Sequence, residues 1–235
     1  MTILSGASIE QETSLTNAAL LIEPGEPTET YRQMRSVPVV DRAAVGGHDV
    51  QAGTSHTAFQ TNGVKLAPLL GFEWMYGDHV RKSVAGGADA LVVFPHVDQW
   101  GNSPGLSQTL SLLRLRAVES NRAVVVSGVS GGSALIRPTG EIEELGPWLD
   151  QTMAGLQVPI HRNETAYTRY GDWLGALGLF LALGLGLVSV ALNRYMPQRF
   201  RPRRKRRRTP PPATPSMGYE GRAPRTAPSR PAVKG

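Results

Sequence analysis

The chain has no cysteine among its 235 residues. Disulfides, thiolate metal sites and a cysteine nucleophile are therefore excluded, although the absence selects no compartment. No secretory signal is legible either, because MTILSGASIEQETS has neither a basic leader nor a sustained apolar stretch. No serine elbow is legible, since GVSGG (128–132), which has the letters of G-x-S-x-G, opens no helix. SGVSGGS (127–133) is rich in glycine, but no lysine follows it and it opens no helix, which argues against a phosphate loop. His48, His56, His79, His96 and His161 are scattered without metal-ligand spacing, so a surface or loop role is expected for each. Neither a metal nor a cofactor is expected.

Charge is distributed unevenly. Residues up to Asn193 carry a net −6, whereas Arg194 onward carries +12, with a single glutamate. An acidic body thus bears a basic tail, and the two call for separate explanations. Between them, WLGALGLFLALGLGLVSVAL (Trp173 to Leu192) runs twenty residues without a charge, long enough to cross a bilayer as a helix. Nine basic residues follow between Arg194 and Arg208. They read as stop-transfer charge that also suits anionic lipid headgroups. Nucleic-acid binding is disfavoured, since no aromatic interleaving or recognition fold accompanies the run. The last stretch is Pro-, Ala- and Arg-rich with little to bury, so disorder is expected. The expected organisation is a body over 1–172, a membrane helix over 173–193 and a basic tail over 194–235. Positive charge inside makes the tail cytoplasmic and the body extracytoplasmic, in a single-pass protein of the cell membrane.

The body alternates strands and helices. TILSGA, AALLIEP, KLAPLLGF, ADALVVFP and RAVVVSGV read as strands. The stretch from Met75 to Val84 is helical and stops at Gly86-Gly87. QTLSLLRLRAVESNR places Leu110, Leu113 and Ala117 on one helical face, with Ser107 as a plausible N-cap. GGSALIRPTGEIEEL reads as a hairpin about a Pro-Thr-Gly turn. Long apolar strands separated by helices predict a layered α/β domain.

LLGFEW (69–74) has the form of a strand ending in a tight turn before a helix, the geometry that lifts a nucleophile out of a sheet. The residue at the bend is Gly71, which has no side chain. Glu73 just beyond it fits two roles equally, a site carboxylate or a favourable charge at the start of the following helix.

Taken in series, several segments resemble one family. LRAVESNRAVVVSGVSGGSALIRPTGEI is similar to its R-A-x-E-x-x-R-P helix, following strand and G-x-S-A-x-I-x-P-x-G hairpin. VDQWGNS stands where it has an Asn-Asp-x-Trp-Phe-Gly loop. NAALLIEPGEPTETYRQMRSVPVVD is similar to its Tyr-x-Lys-x-x-Leu-Val-Pro-Phe-Gly-Glu region, and TAYTRYGDW resembles the segment before its last membrane span. The family is that of the apolipoprotein N-acyltransferases, whose catalytic part is a carbon–nitrogen hydrolase (nitrilase) domain. The resemblance implies a nitrilase-like αββα sandwich, incomplete at the N-terminus, followed by one transmembrane helix and the basic tail.

It also implies a chemistry: acyl transfer from a phospholipid to the N-terminal cysteine amine of a lipoprotein, through a thioester on the enzyme. Such a reaction needs a thiolate, a basic glutamate and a lysine that stabilises developing negative charge. Laid on this sequence, the family's Cys-Tyr-Glu falls on Gly71-Phe72-Glu73, its lysine on Gln33 and the glutamate of its Phe-Gly-Glu on Asp41. The base is expected upstream of TILSG, before Met1, together with the family's earlier membrane helices. No catalytic residue is then intact, with Glu73 and Asp41 as possible retained site residues, and no activity is expected from this chain alone. A free sheet edge further predicts association, with itself or with a chain that supplies the missing elements. Arg116 and Glu119 are expected to brace helix against sheet.

Overall fold

A computed structural model describes residues 1–11, 14–37, 51–95, 103–128, 132–145 and 153–195. Asp41, His48, His96, residues 97–102 and residues 196–235 fall outside them. The chain divides into two units, Met1–Leu183 and Gly184–Gly235.

Three strands, β1 (Ile3–Gln11), β2 (Ser14–Ile22) and β3 (Glu29–Arg32), form an antiparallel sheet in the order β1-β2-β3. A second sheet of six has the order β4-β5-β6-β7-β8-β9. It comprises β4 (Phe59–Thr61), β5 (Val64–Leu70), β6 (Ala90–Phe94), β7 (Ala123–Val126), β8 (Ala134–Ile136) and β9 (Ile142–Glu144). β3 and β4 are short and carry no run the sequence reading could seize on. Asn62 and Gly63, with φ of 49° and 74°, make the tight turn between β4 and β5, in which both central residues need positive φ.

β5, β6 and β7 are parallel and are joined by α1 (Gly77–Ala85) and α2 (Gly105–Ser120). Burial on both faces explains why LAPLL, ALVVF and AVVV are apolar throughout instead of alternating. Alternate residues nonetheless face different layers. Ala67, Leu69, Leu91, Val93, Val124 and Val126 pack under the helices against Leu106, Leu110, Leu113 and Ala117. Leu70 and Phe94 meet Ala19, Leu21 and Tyr31 of the other sheet. The helices make their principal contacts with the six-stranded sheet and with one another. Ile3 and Ile22 of the smaller sheet remain 45% and 41% exposed.

The helical stretch expected from Met75 is interrupted. Glu73–Met75 is a single 3-10 turn, Tyr76 is extended, and α1 restarts at Gly77. Ser107 is not the N-cap of α2. The helix begins one residue after Pro104, and the Ser107 hydroxyl, already within the first turn, donates to the Pro104 carbonyl at 2.8 Å. Proline suits a helix start because no intrahelical N–H is required there. At the other end Asn121, with φ of 51°, caps α2 in the left-handed conformation.

Beyond the sandwich, Arg162 reaches back across the chain. Its Nε donates to Asp89 Oδ1 at 2.8 Å and its Nη2 to the Gly63 carbonyl at 3.3 Å. α3 (Ala166–Tyr170) is N-capped by Thr165 and ends at Gly171. α4 (Trp173–Tyr195) follows, with Asp172 Oδ1 accepting from Gly175 N at 3.1 Å. Among the described residues α4 is the helix long and apolar enough to cross a membrane, and none of its residues is buried.

Candidate functional site

β5 runs out at Leu70, and Gly71 turns the chain with φ of 56°. Two bonds hold this bend. Gly71 N donates to the Phe94 carbonyl at the end of β6 (3.0 Å), and Trp74 Nε1 donates to the Gly71 carbonyl (2.8 Å). The geometry of the elbow is therefore built, with no side chain upon it. A recess of about 320 Å³ lies beside it, between β1 and the C-terminal ends of β5, β6 and β7. Leu4, Gly6, Ser8, Asn17, Leu70 and Phe94 are among the residues that line it.

Glu73 is fully buried. Its Oε1 accepts from Tyr31 Oη (2.8 Å), Met34 N (2.7 Å) and Arg35 N (3.1 Å), and its Oε2 accepts from Leu70 N (2.9 Å). The carboxylate thus clamps the chain just beyond β3 to the end of β5. Its bonds run to other segments and not to the amides of α1, which separates it from a helix cap. Burial pushes its pKa up to about 7, against the pull of those four hydrogen bonds.

Gln33 is buried beside this clamp. Its Oε1 accepts from Asn17 Nδ2 at 2.8 Å and its Nε2 donates to the Arg35 carbonyl at 3.0 Å. An amide can do both; an ammonium could not accept from Asn17. Through Met34 and Leu70 the fold brings Gln33, Glu73 and Gly71 together, while Asp41 lies outside the described residues.

His79 departs from the expectation of a surface role. It sits on the inner face of α1, 2% exposed, with Nε2 at 3.2 Å from Tyr31 Oη and 3.6 Å from Glu73 Oε1. Burial, reinforced by the charges of His56 and Arg35, lowers its pKa to about 4. Burial and the neighbouring carboxylate hold the Tyr31 phenol far above its usual range. His56 is itself exposed and its ring meets that of His79 at a tilt of 37°, with centroids 4.6 Å apart. Sequence reading missed Tyr31 and His79. The available signal was the helical spacing of His79, Val80, Ser83 and Val84, the four buried residues of α1.

Arg116 braces its helix, though against the turn at Trp74 and Met75 and not against the sheet that was expected. Its Nε donates to the Trp74 carbonyl (3.0 Å), its Nη2 to the Met75 carbonyl (3.2 Å), and its Nη1 pairs with Glu119. It fixes α2 to the turn that follows the elbow. Among the described residues no group of three or more His, Asp or Glu side chains is placed to hold a metal ion.

The profile of the carbon-nitrogen hydrolase family matches residues 1–169. Among curated proteins, the apolipoprotein N-acyltransferase of Mycolicibacterium smegmatis is 30% identical over 169 residues, covering 72% of this chain and 27% of that protein. That of Gloeobacter violaceus is 32% identical over 154 residues, with 65% and 29% covered. The chain spans about a third of the length of the curated relatives it matches. Among solved structures, glutamine-dependent NAD+ synthetase from Acinetobacter baumannii superposes with a TM-score of 0.52 at 17% identity, over 64% of this chain and 30% of that one. An amidase of the nitrilase superfamily from Nesterenkonia AN1 gives 0.50 at 17% identity, over 64% and 58%. At such identities these likenesses speak for the fold alone: the two-sheet α/β fold of the nitrilase superfamily.

Proposed function

The chain belongs to the carbon–nitrogen hydrolase family, and on that premise we propose that it is a non-catalytic, membrane-tethered relative of the apolipoprotein N-acyltransferases. The observation that carries this reading is the bare elbow. Gly71 keeps the turn and its two backbone hydrogen bonds but offers no atom that could take an acyl group. Gln33, at the position of the family's lysine, is neutral and committed to Asn17 and the Arg35 carbonyl, so it supplies no charge for a developing oxyanion. Members of a catalytic set depend on one another, and the loss of one costs most of the rate. What remains is a braced α/β scaffold with a recess beside the elbow, suited to binding without turnover. α4 would anchor it to membrane lipid. The basic residues after Arg194 favour a single pass with the tail cytoplasmic and the body outside.

A second reading is supported by the share of the relatives' length that the chain spans. Here it is one part of a split acyltransferase, and another chain contributes the remaining elements, the nucleophile included. Lipoprotein would then be the substrate and that chain the obligatory partner.

One assay separates the two. The tagged chain, extracted from its own membranes in mild detergent with whatever accompanies it, is tested for acyl transfer from phospholipid to a diacylglyceryl lipopeptide. No transfer is expected, and none from the Gly71→Cys, Gln33→Lys double variant. Transfer that depends on a co-purifying chain would overturn the non-catalytic reading in favour of the split enzyme.

A further inference from the structure

Hydrogen-bond direction orders the cluster beneath the elbow. An ionised Glu73 can only accept, so the single Tyr31 hydroxyl proton points to Glu73 Oε1. The contact between Tyr31 Oη and His79 Nε2, 3.2 Å long, then requires His79 to be the donor. Neutral His79 therefore carries its proton on Nε2 and leaves Nδ1 bare. On the same ring lies His56, which is exposed and has its Nδ1 at 3.4 Å from Ser83 Oγ. Ser83 in turn donates to the His79 carbonyl at 3.2 Å. The directed bonds run from the His79 ring through Tyr31 to Glu73, and the exposed His56 meets that same ring while Ser83 ties it to the backbone of α1.

We propose that His79 and Tyr31 form a proton relay between Glu73 at the elbow and the surface at His56, so that the clamp joining β3 to β5 responds to the surrounding pH. A proton arriving at His79 Nδ1 forms a new N–H bond there. Nε2 releases its proton to Tyr31 Oη, and Tyr31 releases its own to Glu73 Oε1. One proton has entered, Glu73 is neutral, Tyr31 has exchanged one hydrogen for another, and His79 is neutral in its other tautomer. No imidazolium or phenolate is required.

The surroundings favour this route over charging the ring. Lys82 of α1, Arg35 beyond β3 and His56 all oppose a positive charge on His79. Asp78 favours one, but it is already paired with Arg35 at 3.4 Å and Lys82 at 3.7 Å. Burial holds the carboxyl up and the imidazole down, so the proton settles on Glu73. Once protonated, Oε1 becomes a donor to Tyr31. The Met34 and Arg35 amides then lose a charge-assisted acceptor, a bond roughly twice as strong as its neutral counterpart. Those two bonds weaken while the buried carboxyl sheds the cost of its charge, so protonation changes how the two sheets are held beside the recess. The relay does not depend on whether the chain transfers acyl groups.

The test is a titration of the full chain in detergent micelles, labelled with ¹⁵N-histidine, because the two ring nitrogens report tautomer and charge separately. Between pH 8 and pH 5, His79 is expected to pass from the Nε2–H to the Nδ1–H tautomer without forming imidazolium, with a midpoint near the Glu73 value of about 7. Glu73→Gln and Tyr31→Phe should each abolish that step, whereas His56→Ala should keep it with a displaced midpoint. Imidazolium at His79 within this range in the unaltered chain would overturn the relay, and that result needs no variant to fold. So would a tautomer step that survives in Tyr31→Phe.

Discussion

Glu73 and His79 oppose each other in the dependence of stability on pH, and removing either should expose the other. Glu73 is carried from 4.5 up to about 7 by burial. A carboxyl raised in the folded state contributes stability that is complete below 4.5 and is lost as pH rises through about 7. His79 is carried from 6.5 down to about 4. An imidazole lowered in the folded state contributes stability that is complete above 6.5 and is lost as pH falls toward 4. Each displacement corresponds to about 3 kcal/mol, of opposite sign over nearly the same window, so the intact pair leaves the profile almost flat. His79→Gln should therefore give a protein that gains about 3 kcal/mol between pH 7 and pH 4.5 relative to the unaltered chain. Glu73→Gln should lose about as much over the same span. For a body of this size each change amounts to a slope in melting temperature on the order of 6–12 °C. Thermal unfolding in mild detergent, followed by tryptophan fluorescence to which the buried Trp74 contributes, reads it. The slope decides, because Glu73→Gln also weakens the clamp at every pH. If both variants slope the same way, the opposition is refuted.

Three other outcomes follow from the packing. Arg116→Ala leaves the Trp74 and Met75 carbonyls without their guanidinium donors and should cost about 2–4 kcal/mol in a thermal melt. Arg116→Lys should recover only part, since one ammonium on a flexible stem does not reproduce the guanidinium fork. Gly71→Ala places a β-carbon at φ of 56° and should cost about 1–2 kcal/mol; a neutral or stabilising result would show that the bend relaxes without a glycine. Alkaline carbonate should leave the chain in the membrane pellet, and Leu183→Arg with Leu185→Arg, in the middle of α4, should release it.

Legibility in the sequence followed the strength of local signals. β5, β6 and β7 announced themselves because a strand buried on both faces must be apolar throughout. α2 did so through Leu110, Leu113 and Ala117. The elbow was legible down to Gly71, and the location of Gln33 beside it came with the resemblance. β3 and β4 were not legible, since four and three residues hold too little periodicity to distinguish strand from loop. The interruption of the helix at Tyr76 was hidden for a related reason: Glu73 is drawn into a turn by the Tyr31 hydroxyl and by the Met34 and Arg35 amides just beyond β3, a tertiary demand that no local pattern records. His79 was misjudged because histidine suits both surface and core, and only its bond to Tyr31, 48 residues away, decides between them.

The Arg162 bridge bears on how the protein is made. Asp89 and the Gly63 carbonyl lie 73 and 99 residues before their partner, so a growing chain can form the earlier sheet long before this closure is possible. Arg162 stands eleven positions ahead of Trp173, where α4 begins. This long-range tie of the body, with that of Arg81 to the Thr168 carbonyl, therefore becomes available during synthesis shortly before the apolar segment emerges. Slow loop closure between such distant residues would then compete with insertion of that segment, and the half-formed body would be at its most exposed to chaperones and proteases in that interval.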